Sequence, residues 1–355
     1  MEMDGILLNK NIGIVGGGIT GLVVAIFLAK KGHTVSIFEK NKLLSETSSK
    51  TTKLLHGGLR YLENLHFREV KNGLNDRSWW LENFPNNTKK LQISIPFSSQ
   101  FSLTLIKSFI GIKLYESLAG SKNIGSSFIS KKESENNSIL KDKYKACISF
   151  YDGSMDDYSL GKELIALAKD LNINIFENNK VNQVDVDGCI DQNRFDKIIL
   201  AVGPWSKILL EENNIQSKKD IDYIKGSHLI IGREIESGLM FSSICKSRYI
   251  FALPYKGYTL LGTTEEQVTG PELPKISKEE IRYLIDSYNQ IIKTPISDSE
   301  IIDSYSGVRP LIKSKDDHHK SSRDFFIQEN DSLLTIFGGK WTTSPSIARK
   351  IVTMI

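Results

Sequence analysis

The sequence predicts an α/β fold (α+β overall) made of two domains that are interleaved along the chain. Near the N-terminus a strand, a glycine-rich loop, a helix and a second strand follow one another, and a strand and a helix close the chain. Between these ends lie mostly short β-like runs. The 355 residues suffice for about two domains. The β-rich part is therefore predicted to form a second domain inserted into the first.

The glycine-rich loop has the pattern Gly16-x-Gly18-x-x-Gly21, and the second strand ends at Glu39. In such a loop the first glycine permits a tight turn, the second lets a pyrophosphate approach the backbone, and the third lets helix and strand pack closely. The helix N-terminus attracts the phosphates, and Glu39 can accept hydrogen bonds from ribose hydroxyls. The pattern predicts a Rossmann-like dinucleotide site. An acid at this position argues against NADP, but the motif alone does not separate NAD from FAD.

Hydrophobic periodicity predicts the remaining elements. The predicted strands are 11–15, 34–38, 173–176, 197–201, 228–231, 249–253, 258–261 and 333–337, and the predicted helices are 22–31, 67–83, 160–170, 278–292 and one from 345. Residues 1–90, 150–215 and 330–355 are assigned to the dinucleotide-binding domain, and residues 91–149 and 216–329 to a substrate domain with an antiparallel β-sheet.

The composition excludes several classes of protein. Apolar residues make up 40% and charged residues 25% of the chain, which is ordinary for a globular protein and argues against a disordered, collagen-like or coiled-coil chain. The net charge of +4 is too small to predict binding to nucleic acid. The three cysteines lie far apart and form no disulfide framework or metal-ligand pattern, so a cytoplasmic location is expected. The N-terminus does not look like a signal peptide, and no apolar run is long enough to span a membrane.

Several blocks resemble a signature of FAD-dependent glycerol-3-phosphate dehydrogenases, which belong to the wider D-amino-acid oxidase type of flavoenzyme. These blocks are TSSKTTKLLHGGLRYLE (47–63), GPW (203–205), KGSH (225–228), GTT (262–264), GVRP (307–310), SRD (322–324) and GGKWTT (338–343). The resemblance covers nearly the whole chain and implies that the dinucleotide is FAD. It departs from the family pattern in two places: Glu265-Glu266 follows GTT where the family generally has an aspartate, and the usual further helical domain is not expected after Ile355.

The resemblance and the glycine loop together imply a set of cofactor-binding residues. They are Gly16, Gly18, Ile19, Thr20, Gly21, Glu39, Lys40, Thr47, Ser48, Ser49, Thr52, Lys53, Leu55, His56, Gly57, Gly58, Val181, Gly203, Gly338, Gly339, Lys340, Trp341 and Thr342. Some flavoenzymes of this type attach FAD to a histidine; for His56 a non-covalent contact is the preferred interpretation.

Five isolated cations sit beside glycine, proline or serine in the family-like blocks: Arg60, His228, Arg309, Arg323 and Lys340. Convergent arginines suit a phosphate, because a guanidinium binds its oxygens in bidentate fashion. By resemblance, Arg309 and Arg323 with Tyr61 hold the substrate phosphate, and the other three cations lie near the carbon that is oxidised.

The oxidation would transfer hydride to the flavin while a base takes the hydroxyl proton. His228 can be that base near neutral pH, whereas an arginine stays protonated. Arg60 and Arg309 would then stabilise the alkoxide. At the C-terminal turn, Lys340 and a helix capped by Ser344 with Pro345 at its first position would stabilise negative charge on the reduced flavin. The pair His318-His319 is interpreted as part of a solvated turn.

The segment 101–118 is apolar and has helical spacing, which leaves two interpretations open. It is a core or domain-packing helix, or an interfacial helix with Lys107 and Lys113 near lipid headgroups. The family's respiratory members sit on the membrane and pass electrons to quinone. This favours a location in the cytoplasm or on the inner face of the cytoplasmic membrane, with quinone or oxygen as the electron acceptor.

The function implied by the resemblance is oxidation of sn-glycerol 3-phosphate to dihydroxyacetone phosphate. The alternative keeps the fold and FAD but changes the substrate to another phosphorylated polyol, a hydroxy acid or an amino acid. A non-catalytic, membrane-associated flavoprotein is the hypothesis from another class, and the set of cations argues against it.

Overall fold

Two β-sheets organise the chain in a computed structural model that describes residues 9–59, 62, 65–131, 139–246, 248–272, 275–313 and 325–355. In spatial order, the first sheet contains β17 (Phe325–Asn330), β18 (Leu333–Gly338), β10 (Lys197–Leu200), β1 (Asn11–Val15), β2 (Thr34–Phe38) and β7 (Asn174–Phe176). All neighbours are parallel except the edge strand β17, which pairs antiparallel with β18. This sheet confirms the predicted α/β fold.

Seven α-helices complete the described part of the chain: α1 (Ile19–Ala29), α2 (Phe67–Asn83), α3 (Leu103–Ala119), α4 (Asp157–Asp170), α5 (Ser206–Glu212), α6 (Lys278–Asn289) and α7 (Ser344–Val352). Of these, α1 is apolar on nearly every face, as expected for a helix buried on all sides. It packs between the first sheet and the helices α4 and α7, and its residues Leu22, Val24 and Leu28 are fully buried there.

The second sheet is larger and almost entirely antiparallel. In spatial order it contains β15 (Glu266–Val268), β11 (Ile221–Ile231), β14 (Tyr258–Gly262), β13 (Tyr249–Tyr255), β12 (Gly238–Ser242), β4 (Thr88–Phe97), β6 (Ala146–Met155) and β3 (Leu54–Leu55). Two further strands join it: β16 (Ile301–Ile312) pairs with β11, and β5 (Phe128–Lys131) pairs with β6. The strands β8 (Cys189–Ile190) and β9 (Asn193–Arg194) form a separate hairpin. A second apolar core lies between this sheet and α6.

The strands β4, β6 and β16 were not predicted from the sequence. In β16, Gly307 and Pro310 interrupt the apolar pattern, and both residue types are unfavourable in a strand interior. The strand nevertheless pairs with β11 over its whole length, with Gly307 opposite Gly226 and Pro310 opposite Tyr223. Long-range pairing has therefore overridden the local preference of these residues.

The two predicted domain boundaries near 90 and 149 fall inside strands of the second sheet, β4 and β6. The strand β3, within the segment assigned to the first domain, also pairs into the second sheet. The segment 47–58 thus connects the two sheets, and this brings its side chains close to both.

One row of residues runs across the second sheet and positions the site. Cross-strand partners in register are Tyr305, His228, Gly262, Phe251 and Met240, in that order. Because directly opposed residues in an antiparallel sheet point to the same face, their side chains share one face of the sheet. Phe251 and Met240 line the main cavity, so this face is the one turned toward that cavity.

Helix α3 falls in the apolar segment 101–118 and exposes much of its apolar surface. Leu105 and Ile112 are buried, whereas Leu103 is 75% and Ile110 is 62% exposed, and the preceding Phe101 is 88% exposed. Among the described residues, no helix is long and apolar enough to span a membrane.

Candidate functional site

The glycine-rich loop has the geometry that the pattern predicted. Gly16 has a φ of +104°, a left-handed conformation that an L side chain rarely adopts, and its N–H donates to the carbonyl of Phe38 at 2.8 Å. A Cβ on Gly21 would collide with the Gly16 carbonyl oxygen, so the third glycine allows α1 to begin directly against the loop. Helix α1 begins at Ile19 with Gly18 at its N-cap and no side-chain cap. The loop therefore presents backbone N–H groups at a helix N-terminus, the arrangement that binds phosphate.

Glu39 is nearly buried and closes this loop from the side. Its Oε2 accepts from the Gly17 N–H and its Oε1 from the Asn41 N–H, both at 2.8 Å. A carboxylate has about four acceptor positions, so two remain for the hydroxyls of a ribose in the adjoining cavity, which Glu39 lines. Beside it, the Lys40 ammonium lies 3.6 Å from the centroid of the Trp205 ring.

A cavity of about 610 Å³ extends along this loop and reaches the second sheet. Most of the predicted cofactor-binding residues line it: Gly16, Gly18, Ile19, Thr20, Glu39, Lys40, Thr47, Ser48, Thr52, His56, Gly58, Val181, Gly203, Gly338, Gly339, Lys340, Trp341 and Thr342. These residues come from six separate stretches of the chain. The size of the cavity and the donors along it fit a dinucleotide.

Other predicted cofactor residues do not line the cavity. They are Gly21, Ser49, Lys53, Leu55 and Gly57. Leu55 is fully buried in the apolar core under the first sheet. The Gly57 N–H donates to the Tyr115 hydroxyl at 2.7 Å. These residues shape the cavity from behind.

Lys53 differs most from its expected role as a cofactor ligand. Its ammonium turns away from the cavity and pairs with Asp157, and both side chains are less than 10% exposed. Asp157 also accepts from the Thr51 hydroxyl at 2.7 Å. Burial lowers the pKa of Lys53, and the neighbouring Asp157 carboxylate partly opposes this shift. The pair therefore anchors the segment 51–53 underneath the cavity.

His228 is fully buried and does not line the cavity. Its Nε2 lies 2.9 Å from the hydroxyl of Thr52, which does line the cavity, and its ring stacks on Tyr305 with centroids 4.9 Å apart. Burial, followed by the positive charges of Arg309, Lys53 and Arg248, lowers the pKa of His228 well below 6.5. The imidazole is therefore neutral at pH 7, with Thr52 between it and the cavity.

Arg309 does line the cavity, and its guanidinium lies against two neighbours. Its Nη2 donates to the Thr263 hydroxyl at 2.8 Å. The same end of the guanidinium lies close to Gly226, where an added Cβ would be 2.7 Å from Cζ and closer still to Nη2. This contact explains why a glycine is needed in the KGSH block: only a residue without a side chain lets Arg309 approach β11 so closely.

A second arginine on the cavity wall, Arg248, was not found by sequence reasoning. It precedes β13, lines the cavity with Arg309, and its Nη1 lies 2.9 Å from Glu265 Oε2. Glu265 belongs to the Glu265-Glu266 pair that follows the GTT block. The sequence signal for Arg248 was weak, because it consisted only of an isolated arginine next to a short predicted strand.

The C-terminal turn is held by two tryptophans. Gly338 and Gly339 have φ values of +73° and +85°. The buried Trp80 donates its indole N–H to the carbonyls of Trp341 and Thr342, both at 3.2 Å, and Trp341 donates to the Ser48 carbonyl at 2.8 Å. The turn that carries Lys340 is therefore tied to the segment 47–52.

The predicted cap of the last helix is wrong by one residue. Thr343 is the N-cap, Ser344 is the first helical residue, and Pro345 lies within the first turn. The Ser344 hydroxyl donates to the Trp341 carbonyl at 2.8 Å and accepts no capping hydrogen bond from the helix. The helix still begins just after the Lys340 turn.

A buried polar group lies behind the segment 56–58 and was also missed. The Tyr115 hydroxyl accepts from the Gly57 N–H and donates to Asp152 Oδ2 at 2.9 Å, and Asp152 Oδ1 lies 3.2 Å from Arg77 Nη1. Burial raises the pKa of Asp152, and the Arg77 charge partly opposes this shift. Asp152 also reaches the cavity wall.

Several predicted residues lie outside the described part of the structure. Arg60, Tyr61 and Arg323, and the pair His318-His319, belong to this group. Their proposed roles remain predictions. Cys147, Cys189 and Cys245 are free thiols.

Residues 11–354 match the family model DAO, "FAD dependent oxidoreductase". The chain is 30% identical over 376 residues to a glycerol-3-phosphate dehydrogenase from Pseudomonas tolaasii, covering 97% of this chain and 71% of that protein. It is also 30% identical over 367 residues to an aerobic glycerol-3-phosphate dehydrogenase from Staphylococcus epidermidis, covering 96% of this chain and 66% of the relative.

Solved structures show the same fold. The glycerol-3-phosphate dehydrogenase from Bacillus halodurans complexed with FAD superimposes with a TM-score of 0.75 at 22% identity, over 98% of this chain and 64% of that one. The FAD-bound L-alpha-glycerophosphate oxidase from Mycoplasma pneumoniae gives 0.78 at 17% identity, over 98% and 95%. A glycine oxidase from Bacillus cereus gives 0.72 at 18% identity, over 97% and 96%. By the match over nearly its whole length, the chain belongs to the DAO family of FAD-dependent oxidoreductases.

Proposed function

We propose that this FAD-dependent oxidoreductase oxidises sn-glycerol 3-phosphate to dihydroxyacetone phosphate. The observation that carries the proposal is one cavity with two kinds of wall. The glycine loop and Glu39 line it on the first sheet, and two arginines, Arg309 and Arg248, line it beside the second sheet. A dinucleotide and a phosphorylated substrate are the ligands that suit these two walls. The names of the relatives with 30% identity support the same substrate.

The residues present fit FAD. The backbone of the glycine loop would hold the pyrophosphate and Glu39 the ribose, while Lys40, Trp205 and Val181 line the same cavity. Bound FAD would supply the hydride acceptor for the oxidation. Lys340, on the turn before α7, would place a positive charge near the reduced cofactor. For His56, which also lines the cavity, we propose a non-covalent contact; acid precipitation should release all of the yellow flavin into the supernatant.

The arginines would bind the substrate phosphate. A guanidinium bridges two phosphate oxygens with parallel hydrogen bonds, and Thr263 and Glu265 orient the two guanidinium groups at the cavity wall. Arg323 and Tyr61 are proposed to complete this site. Arg309, with Arg60, would also stabilise the alkoxide that forms as the proton leaves.

We propose that His228 accepts the proton of the substrate hydroxyl. Because His228 is buried, this proton would have to reach it through another residue. Because Thr52 separates His228 from the cavity, the alcohol proton would pass to the Thr52 hydroxyl as that hydroxyl gives its own proton to Nε2. The positive charges of Arg309, Lys53 and Arg248 oppose protonation of His228. Proton transfer to His228 would therefore depend on the negative charge that develops in the cavity during the reaction. If His228→Asn kept a near-normal rate of flavin reduction from pH 6 to 9, this role would be refuted.

An anaerobic substrate panel tests the function. We expect glycerol 3-phosphate to bleach the flavin absorbance, and glycerol and glycine to leave it unchanged. Bleaching by glycine or another amino acid instead would favour the alternative substrate class, which the structural similarity to a glycine oxidase makes worth including. If only another phosphorylated polyol bleached the flavin, the proposed phosphate site would stand, but the substrate would have a carbon skeleton other than that of glycerol.

Arg248→Met tests the phosphate site directly. A hydrogen bond to a charged group contributes about 1.5–3 kcal/mol, so the apparent Kd for glycerol 3-phosphate should rise by about 10- to 100-fold. Arg233→Met is the control, because Arg233 bonds to Glu300 and the carbonyl of Thr294 and does not line the cavity. Equal effects of the two substitutions would contradict a role in substrate binding.

We also propose that α3 contacts the membrane surface and that quinone or oxygen accepts the electrons. The support is the exposed apolar side of the helix, including Phe101, Leu103 and Ile110, with the exposed Lys107 beside it. Lys113, the other predicted headgroup contact, pairs with Glu116 at 3.0 Å.

A flotation assay with anionic liposomes tests the membrane contact, and Ile110→Glu should abolish co-flotation. Ile302→Glu, at a 58% exposed site on β16, should not. Protein that stays at the bottom of the gradient without any substitution would refute the membrane proposal.

A further inference from the structure

A buried carboxylate on α6, Glu280, contacts four residues from three segments of the chain. Its Oε2 accepts from the Ser277 N–H at 2.9 Å and from the Lys225 ammonium at 2.9 Å. Its Oε1 accepts from the hydroxyls of Ser227 at 2.8 Å and Thr264 at 2.6 Å. All of its roughly four acceptor positions are therefore used.

Capping of α6 accounts for only one oxygen of Glu280. The contact with Ser277 is half of a capping box, in which Ser277 and Glu280 exchange hydrogen bonds at the start of the helix. The other oxygen has no part in that motif. It bridges from the helix to Ser227 on β11 and to Thr264, the second residue after β14.

The contacts continue from there to the cavity wall. Thr264 follows Thr263, whose hydroxyl accepts from Arg309, and Ser227 follows Gly226, against which the Arg309 guanidinium rests. The Ser227 N–H donates to Thr264 Oγ1 at 2.9 Å, so the two segments are also joined directly. Thr263 and Gly226, which both lie against the Arg309 guanidinium, are each adjacent in sequence to a hydrogen-bond donor of Glu280.

A second link runs through β16. Ser227 Oγ lies 2.8 Å from Ser306 Oγ, three residues before Arg309 on the same strand. The backbone and the side chain of Arg309 are thus both connected to Glu280 through Ser227.

Glu280 is ionised in this environment. Burial raises the pKa of the carboxyl, but the hydrogen bonds from Thr264, the Ser277 N–H, Lys225 and Ser227 together lower it further, and its pKa lies below the ordinary value. An ionised carboxylate accepts at every position and donates nowhere, which holds both hydroxyls in one orientation.

We propose that Glu280 is a positioning residue that holds Thr263 and Arg309 in place on the substrate wall of the cavity. The proposal rests on the proposed function of Arg309 as a substrate ligand. Glu280 is a positioning residue and not a catalytic one, because it does not line the cavity. It acts through Ser227 and Thr264.

The test is Glu280→Gln in the FAD-loaded enzyme. Glutamine also forms capping boxes, so the start of α6 is kept. Its amide nitrogen, however, donates where Oε1 accepted, and the Thr264 hydroxyl proton loses its acceptor. A displacement of about 1 Å at a substrate-positioning group can lower a rate by about 10²-fold. We expect the ratio of the flavin reduction rate to the apparent Kd for glycerol 3-phosphate to fall at least ten-fold, with FAD affinity unchanged.

Two variants separate positioning from charge neutralisation. Glu266→Gln removes the other partner of Lys225, 2.6 Å away, and leaves Ser227 and Thr264 untouched; it should keep the original kinetics. The double variant Lys225→Met/Glu280→Gln removes both charges and should remain slow. If the double variant recovers the original rate, Glu280 serves only to neutralise Lys225 and the proposal is wrong.

Hydrogen exchange gives a readout that does not depend on the substrate. In Glu280→Gln, peptides covering 262–268 and 304–312 should exchange faster than in the unsubstituted protein, and in Glu266→Gln they should not. If glycerol 3-phosphate fails to reduce the unsubstituted protein, the proposed function fails, while the exchange result still decides the positioning role. Should Glu280→Gln not fold, Ser227→Ala removes the same link and is expected to give the same kinetic and exchange changes. Unchanged exchange and unchanged kinetics in these variants would overturn the proposal.

Discussion

Gly226→Ala is expected to damage catalysis while leaving the fold intact. An added Cβ would lie 2.7 Å from Arg309 Cζ and 2.6 Å from Thr263 Oγ1, and closer still to Arg309 Nη2. Ordinary contact begins near 3.4 Å, so the guanidinium must recede by about 1 Å, an error that can cost about 10²-fold in rate at a positioned group. Two of these three atoms belong to the long, flexible side chain of Arg309, which can recede without moving the backbone, so the free energy of unfolding should change by less than about 1 kcal/mol.

The assay is anaerobic rapid mixing with glycerol 3-phosphate, read by flavin absorbance. Gly226→Ala should reduce flavin about 100-fold more slowly at low substrate concentration, with its thermal midpoint and FAD content close to those of the unsubstituted protein. Gly270→Ala is the matched control, since a Cβ there meets nothing within 4 Å. An unchanged rate for Gly226→Ala would show that the close approach of Arg309 to β11 has no bearing on the reaction.

Two further predictions concern the buried groups. His228 has a pKa well below 6.5 in the folded chain and regains its ordinary value on unfolding. Its contribution to stability is therefore complete above about pH 6.5 and is lost as the pH falls, at up to about 1.4 kcal/mol per pH unit. Denaturant titrations from pH 7.5 to 5.5 should show a steeper loss for the unsubstituted protein than for His228→Asn, and parallel curves would contradict the neutral, buried state. Tyr115→Phe removes the hydroxyl between the Gly57 N–H and Asp152, and one such buried group left unpaired costs about 1–3 kcal/mol. The unfolding free energy should fall by at least this amount; a smaller loss would mean that water replaces the hydroxyl.

The parts of the fold around the candidate site that were predicted correctly depend on short stretches of sequence. The glycine loop, α1 and Glu39 lie within about thirty consecutive residues, and each glycine has a role set by the local backbone. The strands β1 and β2 follow the predicted bounds because their apolar runs are short and flanked by turns.

The parts that were missed depend on pairing between distant segments. Asp152 and Tyr115 meet behind Gly57 because β6 and α3 pack there, and nothing in either sequence segment indicates this. Arg248 and Arg309 are 61 positions apart in the chain and reach one cavity only through the pairing of β13, β14, β11 and β16. Lys53 was predicted to contact the cofactor because it lies in a cofactor-like block. Its ammonium instead pairs with the buried Asp157, a residue 104 positions away in the chain.

The sequence by itself determined the glycine loop with its flanking strands and helix, the family-like blocks and the α/β class, because backbone conformation and hydrophobic periodicity depend on neighbouring residues. Tertiary structure alone decided which polar side chains face the cavity and which are covered. His228 is the clearest example: its residue type suits a base, but Thr52 and Tyr305, 176 and 77 positions away, bury it and with its cationic neighbours keep it neutral. Burial and nearby charge set the chemistry of a side chain, and both depend on segments that are adjacent only after folding.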